Sequence, residues 1–384
     1  MNAGVIIDLD RAAPPSRPAP PVPRVLPAAL VVVLMLLLGP SAPMPRVRDL
    51  PQVAATAGPS GTWLLTDTTL YSTSTRTGGR MDVVAWSLDS GTALWQRDLD
   101  WFAGIPALTE SGPVLVVSGN EDTRILDAGT GADRVDPRTY SVARPAADRV
   151  ALWDGTAGTL ALYDPATDRI VWKRRFPDRL HTVAATADDL LAVTDTGVVS
   201  IAMSSGDVAA ATREAVPAGG APRARVIGGR AYLLGDNSVT MIDMARARAM
   251  WTVRMLLPRA VVPCGTRICV SGGPGLLALD PISGDPVWTN VDWIGGENGI
   301  VRTAAGDVLR IDPDSGVVRR ALGHGLPAGD LLIRPDGAGL SVVEWATGQV
   351  RGRLPDTTPN GCRRTGEHLA CQHAGGQVRV WRLF

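Results

Sequence analysis

The sequence has little of several features that would point to a particular chemistry. Its 384 residues carry 38 basic and 38 acidic side chains, so the formal net charge is zero. Because phosphate backbones require a basic surface, we predict no nucleic-acid partner. Only four histidines are present, and no two of them have the spacing of metal ligands. Gly-x-Ser-x-Gly, Walker and His-Glu-x-x-His motifs are also missing, so the sequence predicts no catalytic, metal or cofactor residues.

Long apolar runs are equally scarce, and the exception lies near the N-terminus. Residues 25–38 contain no charge, and continuing to residue 44 gives twenty residues, the length that crosses a bilayer. We expect 25–44 to be a retained single-pass anchor, with a cleaved signal peptide as the alternative. Residues 1–24 are rich in proline and arginine, which predicts a disordered cytoplasmic tail. Residues 45–384 would then lie outside the cytoplasm, at the cell membrane.

Glycine (42) and proline (30) are plentiful, as in chains built from short strands and tight turns. One phrase, best preserved as LALDPISGDPVW at 277–288, recurs eight times at intervals of 32 to 41 residues. Its anchor is a turn position, with an acidic residue four positions earlier in six copies and a tryptophan four positions later in four copies. The anchor residues are Gly91, Gly131, Asp168, Gly206, Ala247, Gly284, Gly316 and Gly348. The acidic residues are Asp127, Asp164, Asp243, Asp280, Asp312 and Glu344, and the tryptophans are Trp95, Trp172, Trp251 and Trp288.

Each residue type in this phrase has a mechanical task. The acidic side chain can accept hydrogen bonds from turn amides, and glycine can take the positive φ of a short hairpin loop. Tryptophan is large and flat enough to pack between neighbouring sheets while its N–H reaches a backbone carbonyl. Each phrase supplies two strands joined by a turn, and two further short apolar runs precede it, so each unit has four strands. Such units must stack, so we predict an all-β fold, a β-propeller of four-stranded blades.

The succession of an apolar strand, Asp-x-x-x-Gly and Trp resembles the PQQ-like (pyrroloquinoline quinone) repeat of quinoprotein dehydrogenases and BamB-like proteins. The resemblance covers about residues 60–384 and implies a propeller that most often has eight blades. Eight complete units are present, and residues 361–384 with 44–54 could form a ninth from both termini. We predict eight blades, with seven to nine as the range.

Quinoprotein dehydrogenases hold their quinone against adjacent cysteines and bind Ca²⁺ with Glu, Asn and Asp. This sequence has no Cys-Cys pair, and Glu297-Asn298 is the one Glu-Asn near such a context. We interpret these two residues as a polar loop between blades rather than as ligands.

The four cysteines form two local pairs, Cys264 with Cys269 and Cys362 with Cys371. A two-residue loop at Thr266–Arg267 would put the first pair directly opposite each other. A loop at Gly366–Glu367 would do the same for the second pair. Because non-hydrogen-bonded cross-strand positions suit disulfides, we predict two disulfide bonds; a four-cysteine zinc site is the weaker alternative.

The residues that build the blades are present, whereas catalytic motifs are missing, and this combination favours a non-catalytic scaffold. We expect a membrane-tethered, extracytoplasmic propeller that binds protein partners or cell-envelope ligands. The alternative is a PQQ-dependent dehydrogenase or another enzyme that uses the central funnel. A sensor that signals through the short tail ranks last.

Overall fold

The computed structural model describes residues 48–383 except 59, 77–79, 102–105, 120–121, 137–138, 177, 214–222, 274, 337–338 and 356–358. The predicted tail (1–24) and anchor (25–44) lie outside these residues. Throughout the described part every regular element is a β-strand, and it contains no helix that is long and apolar enough to span a membrane.

The strands form nine antiparallel sheets, numbered here as blades along the chain. The first strand, β1 (Gln52–Ala55), belongs to the last blade. Blade 1 contains β2 (Trp63–Leu65), β3 (Thr69–Thr75), β4 (Arg80–Ser87) and β5 (Ala93–Trp101). Blade 2 contains β6 (Ala107–Ser111), β7 (Val114–Ser118) and β8 (Thr123–Asp127). Blade 3 contains β9 (Val142–Ala146), β10 (Arg149–Asp154), β11 (Thr159–Asp164) and β12 (Arg169–Arg175). Blade 4 contains β13 (Leu180–Ala185), β14 (Asp189–Thr194), β15 (Gly197–Ala202) and β16 (Val208–Thr212).

The second half continues in the same way. Blade 5 contains β17 (Arg223–Ile227), β18 (Arg230–Leu234), β19 (Ser238–Asp243) and β20 (Arg248–Arg254). Blade 6 contains β21 (Ala260–Cys264), β22 (Arg267–Gly272), β23 (Gly275–Leu279) and β24 (Pro286–Asn290). Blade 7 contains β25 (Trp293–Glu297), β26 (Ile300–Thr303), β27 (Asp307–Ile311) and β28 (Val318–His324). Blade 8 contains β29 (Leu326–Ala328), β30 (Leu331–Asp336), β31 (Gly339–Glu344) and β32 (Val350–Leu354). Blade 9 contains β33 (Pro359–Thr365), β34 (His368–His373), β35 (Val378–Arg382) and β1.

The blades form a closed ring. Nine apolar clusters each fill one interface between consecutive blades, including those that join blade 9 to blades 8 and 1. First strands of neighbouring blades meet at most interfaces and line the centre, whereas fourth strands are the most exposed and form the rim. The all-β propeller predicted from the repeat is therefore confirmed.

The blade count is nine, at the upper end of the predicted range, so eight was wrong. The additional blade is the composite one: β1 pairs with β35, with Gln52 opposite Trp381 and Ala55 opposite Arg379. Leu50 also donates its backbone N–H to the Arg353 carbonyl of blade 8, at 2.9 Å. Pairing both termini in one sheet leaves no open blade, which is how a propeller closes without an exposed edge.

In blade 2 the described residues form three strands rather than the predicted four. Where a fourth strand would run, the backbone makes one isolated bridge, between Leu126 and Asp133. Bends follow at Arg134 and Val135. The sequence places Pro137 two residues further on, and proline cannot donate to a strand ladder. Pairing therefore stops after a single bridge.

The repeated phrase forms the hairpin turn between the third and fourth strands. Each glycine anchor donates its N–H to the carbonyl four residues earlier, as from Gly284 to Asp280 (2.9 Å) and from Gly316 to Asp312 (2.8 Å). Ala247 donates instead to the Met244 carbonyl, three residues earlier (3.4 Å). Every anchor residue has positive φ, including Asp168 (56°) and Ala247 (49°). A left-handed backbone is thus common to all eight turns, although two of them lack glycine.

The acidic residue of the phrase caps the turn. Asp280 accepts hydrogen bonds from the amides of Ile282 (2.9 Å) and Ser283 (3.1 Å), which lower its pKa, and the nearby Arg267 guanidinium lowers it further. In the next blade, hydrogen bonds from the Arg319 side chain (2.5 Å) and the Ser315 amide (3.2 Å) lower the pKa of Asp312. Glu344 instead bonds the Thr347 hydroxyl and Arg351, because its longer side chain reaches past the turn amides.

Tryptophan joins each blade that carries it to the turn of the next blade. The indole lies against the next anchor glycine so closely that a Cβ there would lie 2.6 to 2.8 Å from the ring; the pairs are Trp95–Gly131, Trp172–Gly206, Trp251–Gly284 and Trp288–Gly316. Three indoles also donate their N–H to the carbonyl three residues before that glycine, namely Ala128 (2.9 Å), Met203 (3.0 Å) and Pro313 (3.0 Å). The indole nitrogen of Trp251 is buried without a hydrogen-bond partner.

The two anchors that are not glycine follow blades without this tryptophan. Ala210 holds the tryptophan position before Ala247, and it packs against the apolar cluster that contains Ala247. Val135 holds the position before Asp168. A small residue in one blade thus permits a Cβ in the next. At the four anchors that face an indole, glycine is needed for space against the ring and not only for its backbone freedom.

We predict that Gly206→Ala lowers the free energy of unfolding by about 2–4 kcal/mol, because the new Cβ overlaps the Trp172 ring and the left-handed backbone adds strain. In a Trp172→Ala background the same change should cost only about 1 kcal/mol, since strain alone remains. Urea unfolding of the four proteins in this double-mutant cycle measures the coupling. Ala247→Gly, at an anchor without an indole, is the control and should change stability little. Equal costs of Gly206→Ala in both backgrounds would contradict the steric account.

We also predict that the turn carboxylates make stability sensitive to acid. The pKa values of Asp280 and Asp312 are lowered by folding, so their contribution is complete above the ordinary aspartate pKa of about 4 and is lost as the pH falls below it. In the double variant Asp280→Asn/Asp312→Asn, the side-chain oxygens can still accept hydrogen bonds from the turn amides, but the negative charges are removed. Its free energy of unfolding should therefore fall less steeply than that of the unmodified protein between pH 5 and pH 3. Asp285→Asn is the control, because that carboxylate accepts no hydrogen bond from the turn; a slope changed equally by both variants would contradict the prediction.

Candidate functional site

The four cysteines form two pairs at disulfide distance, both on hairpins between first and second strands. The Cα atoms of Cys362 and Cys371 are 4.1 Å apart, and the two residues lie directly opposite each other across the predicted Gly366–Glu367 loop. The Cα atoms of Cys264 and Cys269 are 5.5 Å apart. In the described residues both pairs are disulfide-bonded, and no free cysteine is found there.

The predicted register of the first cysteine hairpin is wrong by one residue. Cys264 pairs with Arg267, and Cys269 pairs with Val262, so the disulfide runs diagonally across one face of the hairpin. The loop is Gly265–Thr266, with Gly265 at φ 61°. Because a two-residue hairpin loop favours a glycine with positive φ, the chain turns one residue earlier than the predicted Thr266–Arg267 loop.

A cavity of about 450 Å³ opens at the inner ends of blades 6 to 9. The first strands of these four blades supply much of its wall, so it belongs to the central channel but lies to one side of it. Apolar side chains dominate the lining, among them Val262, Ile294, Leu326 and Pro327. Such a volume is in the range that holds a small organic molecule.

The cavity coincides with the weakest blade interface. Three buried apolar residues, Ile300, Val308 and Leu332, form the cluster between blades 7 and 8, whereas every other interface has at least seven. Arg320 holds the tryptophan position of blade 7, and a Cβ at the facing Gly348 would contact nothing within 4 Å. The tryptophan–glycine contact that joins four other pairs of blades, which we call the interlock, is absent here.

Glu297 and Asn298 belong to a hairpin within blade 7 and not to a loop between blades, so that part of the prediction was wrong. Glu297 pairs with Ile300 across an Asn298–Gly299 loop, in which both residues have positive φ. Asn-Gly is the preferred pair for such a loop, so the turn explains both residues without a ligand.

The quinone expected of quinoprotein enzymes does not match these residues. No three His, Cys, Asp or Glu side chains converge on a metal position anywhere in the described ranges, and Glu297 has no second carboxylate beside it. Both cysteine pairs bridge neighbouring strands, where the quinone enzymes use adjacent cysteines. The described residues therefore do not fit the quinone or its Ca²⁺ ion.

Arg302 is a cavity residue that the sequence did not single out. It is half-buried on β26, opposite Gly295, and its Nε is excluded from solvent without a hydrogen-bond partner. It forms no ion pair with any residue in the described part of the chain. Sequence inspection had no signal for it, because arginine is common in this chain and its isolation appears only in three dimensions.

One end of the ring carries an exposed apolar patch. The Asp-x-x-x-Gly turns lie at one end, and the blade-to-blade connections and the turns between second and third strands lie at the other, which we call the connector face. Here Leu256 (59% exposed), Leu257 (56%) and Val291 (71%) flank the β22–β23 turn. We call these three residues the Leu256 patch.

The Leu256 patch is held firmly. The Leu256 carbonyl accepts a hydrogen bond from the Gly273 amide (2.8 Å), and the Leu257 amide donates to the Asp236 carbonyl (2.9 Å). A Cβ at Gly272 would lie within 3.1 Å of both leucine carbonyls. Leu257 itself has φ 47°, which is uncommon for leucine. Sequence inspection could not find this patch, since neither its conformation nor its exposure leaves a pattern.

Comparisons with known proteins identify one family model and solved structures to which this chain is similar. Residues 156–291, from the middle of blade 3 to the end of blade 6, match the family model described as outer membrane protein assembly factor BamB. Among solved structures, BamB from Moraxella catarrhalis is 18% identical over 87% of this chain and 97% of its own, with a TM-score of 0.49. A chain of a mitotic checkpoint complex is 15% identical over 72% of this chain and 89% of its own, with a TM-score of 0.39. No curated protein sequence matches this one.

The family match lies where the repeated phrase is well preserved, and it includes the Trp172–Gly206 and Trp251–Gly284 interlocks. The resemblance inferred from the phrase is thereby confirmed. The chain is a β-propeller, and its residues 156–291 match the BamB-like family model.

Proposed function

We propose that this protein is a non-catalytic scaffold, tethered to the membrane by its N-terminal segment, that binds protein partners outside the cytoplasm. The observation that carries the proposal is the Leu256 patch. Three large apolar side chains, each more than half exposed, cluster at one place on the connector face. Clustered exposed apolar surface of this kind is typical of a protein-interaction site.

The exposed apolar side chains that precede the interlocking tryptophans show what isolated surface residues look like. The residue before each interlocking tryptophan points outward on the rim, as with Leu94 and Met250, both 53% exposed. These side chains stand one to a blade, so they form no common surface. Single apolar residues on a surface need no partner to explain them.

The backbone of the Leu256 patch supports recognition of a folded partner. Hydrogen bonds from two neighbouring segments fix the Leu256–Leu257 connection before any partner arrives. A contact surface that is already ordered loses little conformational entropy on binding. Strain at Leu257 is a further sign that the leucines are held outward for a purpose, because unusual backbone conformations concentrate at functional sites.

Membrane tethering and the extracytoplasmic location rest on other features. The apolar run at 25–44 is long enough to span a bilayer, and arginines precede it. Two cysteine pairs at disulfide distance suit an oxidising compartment, since cytosolic thiols are kept reduced.

The test of the scaffold is affinity capture from detergent-solubilised membranes with the full-length protein. We predict a reproducible partner whose recovery is lost with Leu256→Gln/Leu257→Asn. Asparagine tolerates the left-handed conformation of Leu257, so the variant should keep its fold. The matched control is Leu94→Gln/Met250→Gln, which removes a similar exposed area from the rim and should recover the same partner. No reproducible partner, or equal recovery by the patch variant, would count against the proposal.

The compartment has its own test. We predict that the protein taken from cells into denaturant without a reductant is not labelled by a thiol-reactive maleimide, and that all four cysteines are labelled after reduction. Mass shifts on a denaturing gel report the number of labels. Expression without residues 1–44 in the cytoplasm is the control and should give free thiols. Labelling of the full-length protein before reduction would argue against both the disulfides and the location.

A further inference from the structure

The cavity beside the channel carries an inference beyond the proposed scaffold. Arg302 is a half-buried cation with no acidic partner in the described residues, and its Nε has neither water access nor an acceptor. Leaving a buried charged donor unsatisfied is costly, so such a group is usually paired in the state that the protein uses. Arg302 lies in the cavity lining, so an anion in the cavity would supply the counter-charge that no described acidic residue provides.

Two glycines keep the cavity open, and packing does not require either of them. A Cβ at Gly295, directly across from Arg302, or at Gly361 on the first strand of blade 9, would meet no atom within 4 Å. Neither has a positive φ, so neither is needed for the backbone. Glycine in a strand interior is destabilising by itself, and it often marks a place where a ligand approaches the backbone.

The remaining wall defines the kind of anion. Ile294 is 52% exposed although it lies on a first strand, and Leu326 and Pro327 face the same cavity. Among the described residues, Glu297 is the one acidic residue in the cavity lining. It is exposed at the end of the β25–β26 hairpin, so solvent screens its charge, whereas Arg302 lies two residues further from that hairpin end. One guanidinium beside an apolar wall fits a small carboxylate with an apolar body, since Arg binds carboxylates in bidentate fashion.

We propose that this cavity binds an apolar organic acid, whose carboxylate pairs with Arg302 and whose hydrocarbon part contacts Ile294, Leu326 and Pro327. The site lies at the inner ends of blades 7 and 8, and the Leu256 patch lies on the connector face of blades 5 and 6. Binding of the acid and binding of a protein partner are therefore separately testable, and loss of one leaves the other intact.

The experiment is ligand-observed NMR titration of the full-length protein in detergent with three probes of one shape: 4-phenylbutyrate, 4-phenylbutanol and 4-phenylbutylamine. We expect the carboxylate to bind at least about tenfold more tightly than the alcohol or the amine, the difference a charge-assisted hydrogen bond makes. Arg302→Gln should weaken 4-phenylbutyrate about tenfold or more and leave the alcohol unchanged. Arg320→Gln, an exposed arginine on the rim of the same blade, should change neither.

A second variant separates the cavity from a general effect of charge. Gly295→Leu should fold, because the glycine has open space in front of it, and its side chain should fill the cavity and abolish binding of 4-phenylbutyrate. Thermal unfolding of each variant checks that the propeller is intact. Equal binding of the three probes, 4-phenylbutyrate affinity unaffected by Arg302→Gln or by Gly295→Leu, or no binding at millimolar probe would overturn the proposal.

Discussion

The contact between an indole and the glycine of the next blade is the constraint on which the ring depends. Each interlocking tryptophan leaves its own sheet and covers the neighbour's turn, and three of the four also donate a hydrogen bond to that turn. The hairpin phrase therefore serves two blades at once. Its acidic residue and left-handed anchor shape the turn within one blade, while the glycine and the tryptophan set the spacing between two blades.

Variation in this contact explains where the ring differs from an ideal repeat. Ala210 and Val135 are small, and the anchors that follow them, Ala247 and Asp168, have side chains. At the junction of blades 7 and 8, arginine replaces tryptophan while the glycine stays, so neither side fills the space. The apolar cluster is smallest there, and the cavity opens at its inner end. After blades 2 and 4 the missing tryptophan is matched by a side chain on the next anchor, whereas after blade 7 the facing glycine has open space.

Much of the fold could be predicted from the sequence, because the phrase recurs in register and each of its residues has a local mechanical reason. The all-β propeller, the four-stranded unit and the resemblance to PQQ-like repeats follow from that pattern. The predicted count of eight blades follows the number most common in the family. The composite unit of residues 44–54 and 361–384 adds the ninth blade.

The functional surfaces were harder to predict, since they depend on what surrounds a residue. The register of the Cys264–Cys269 hairpin depends on which residue begins its two-residue loop. Gly265 begins it, because glycine can adopt the positive φ that the loop requires. Arg302 resembles any other arginine in the sequence, and its isolation comes from four blades that meet around it. Leu257 shows no periodic signal, because its exposure results from a backbone conformation that tertiary hydrogen bonds impose.

The composite ninth blade has a consequence for the order of folding. Gln52 pairs with Trp381, so the first strand of the propeller finds its partner only after blades 1 to 8 and most of blade 9 have been synthesised. Domains otherwise begin to fold from the N-terminus as the chain emerges. The interfaces within the series from blade 1 to blade 8 can assemble in order, but the ring stays open, with two unpaired blade faces, until blade 9 is complete. Closure is then a single late event that converts an open stack with two ends into a ring with none.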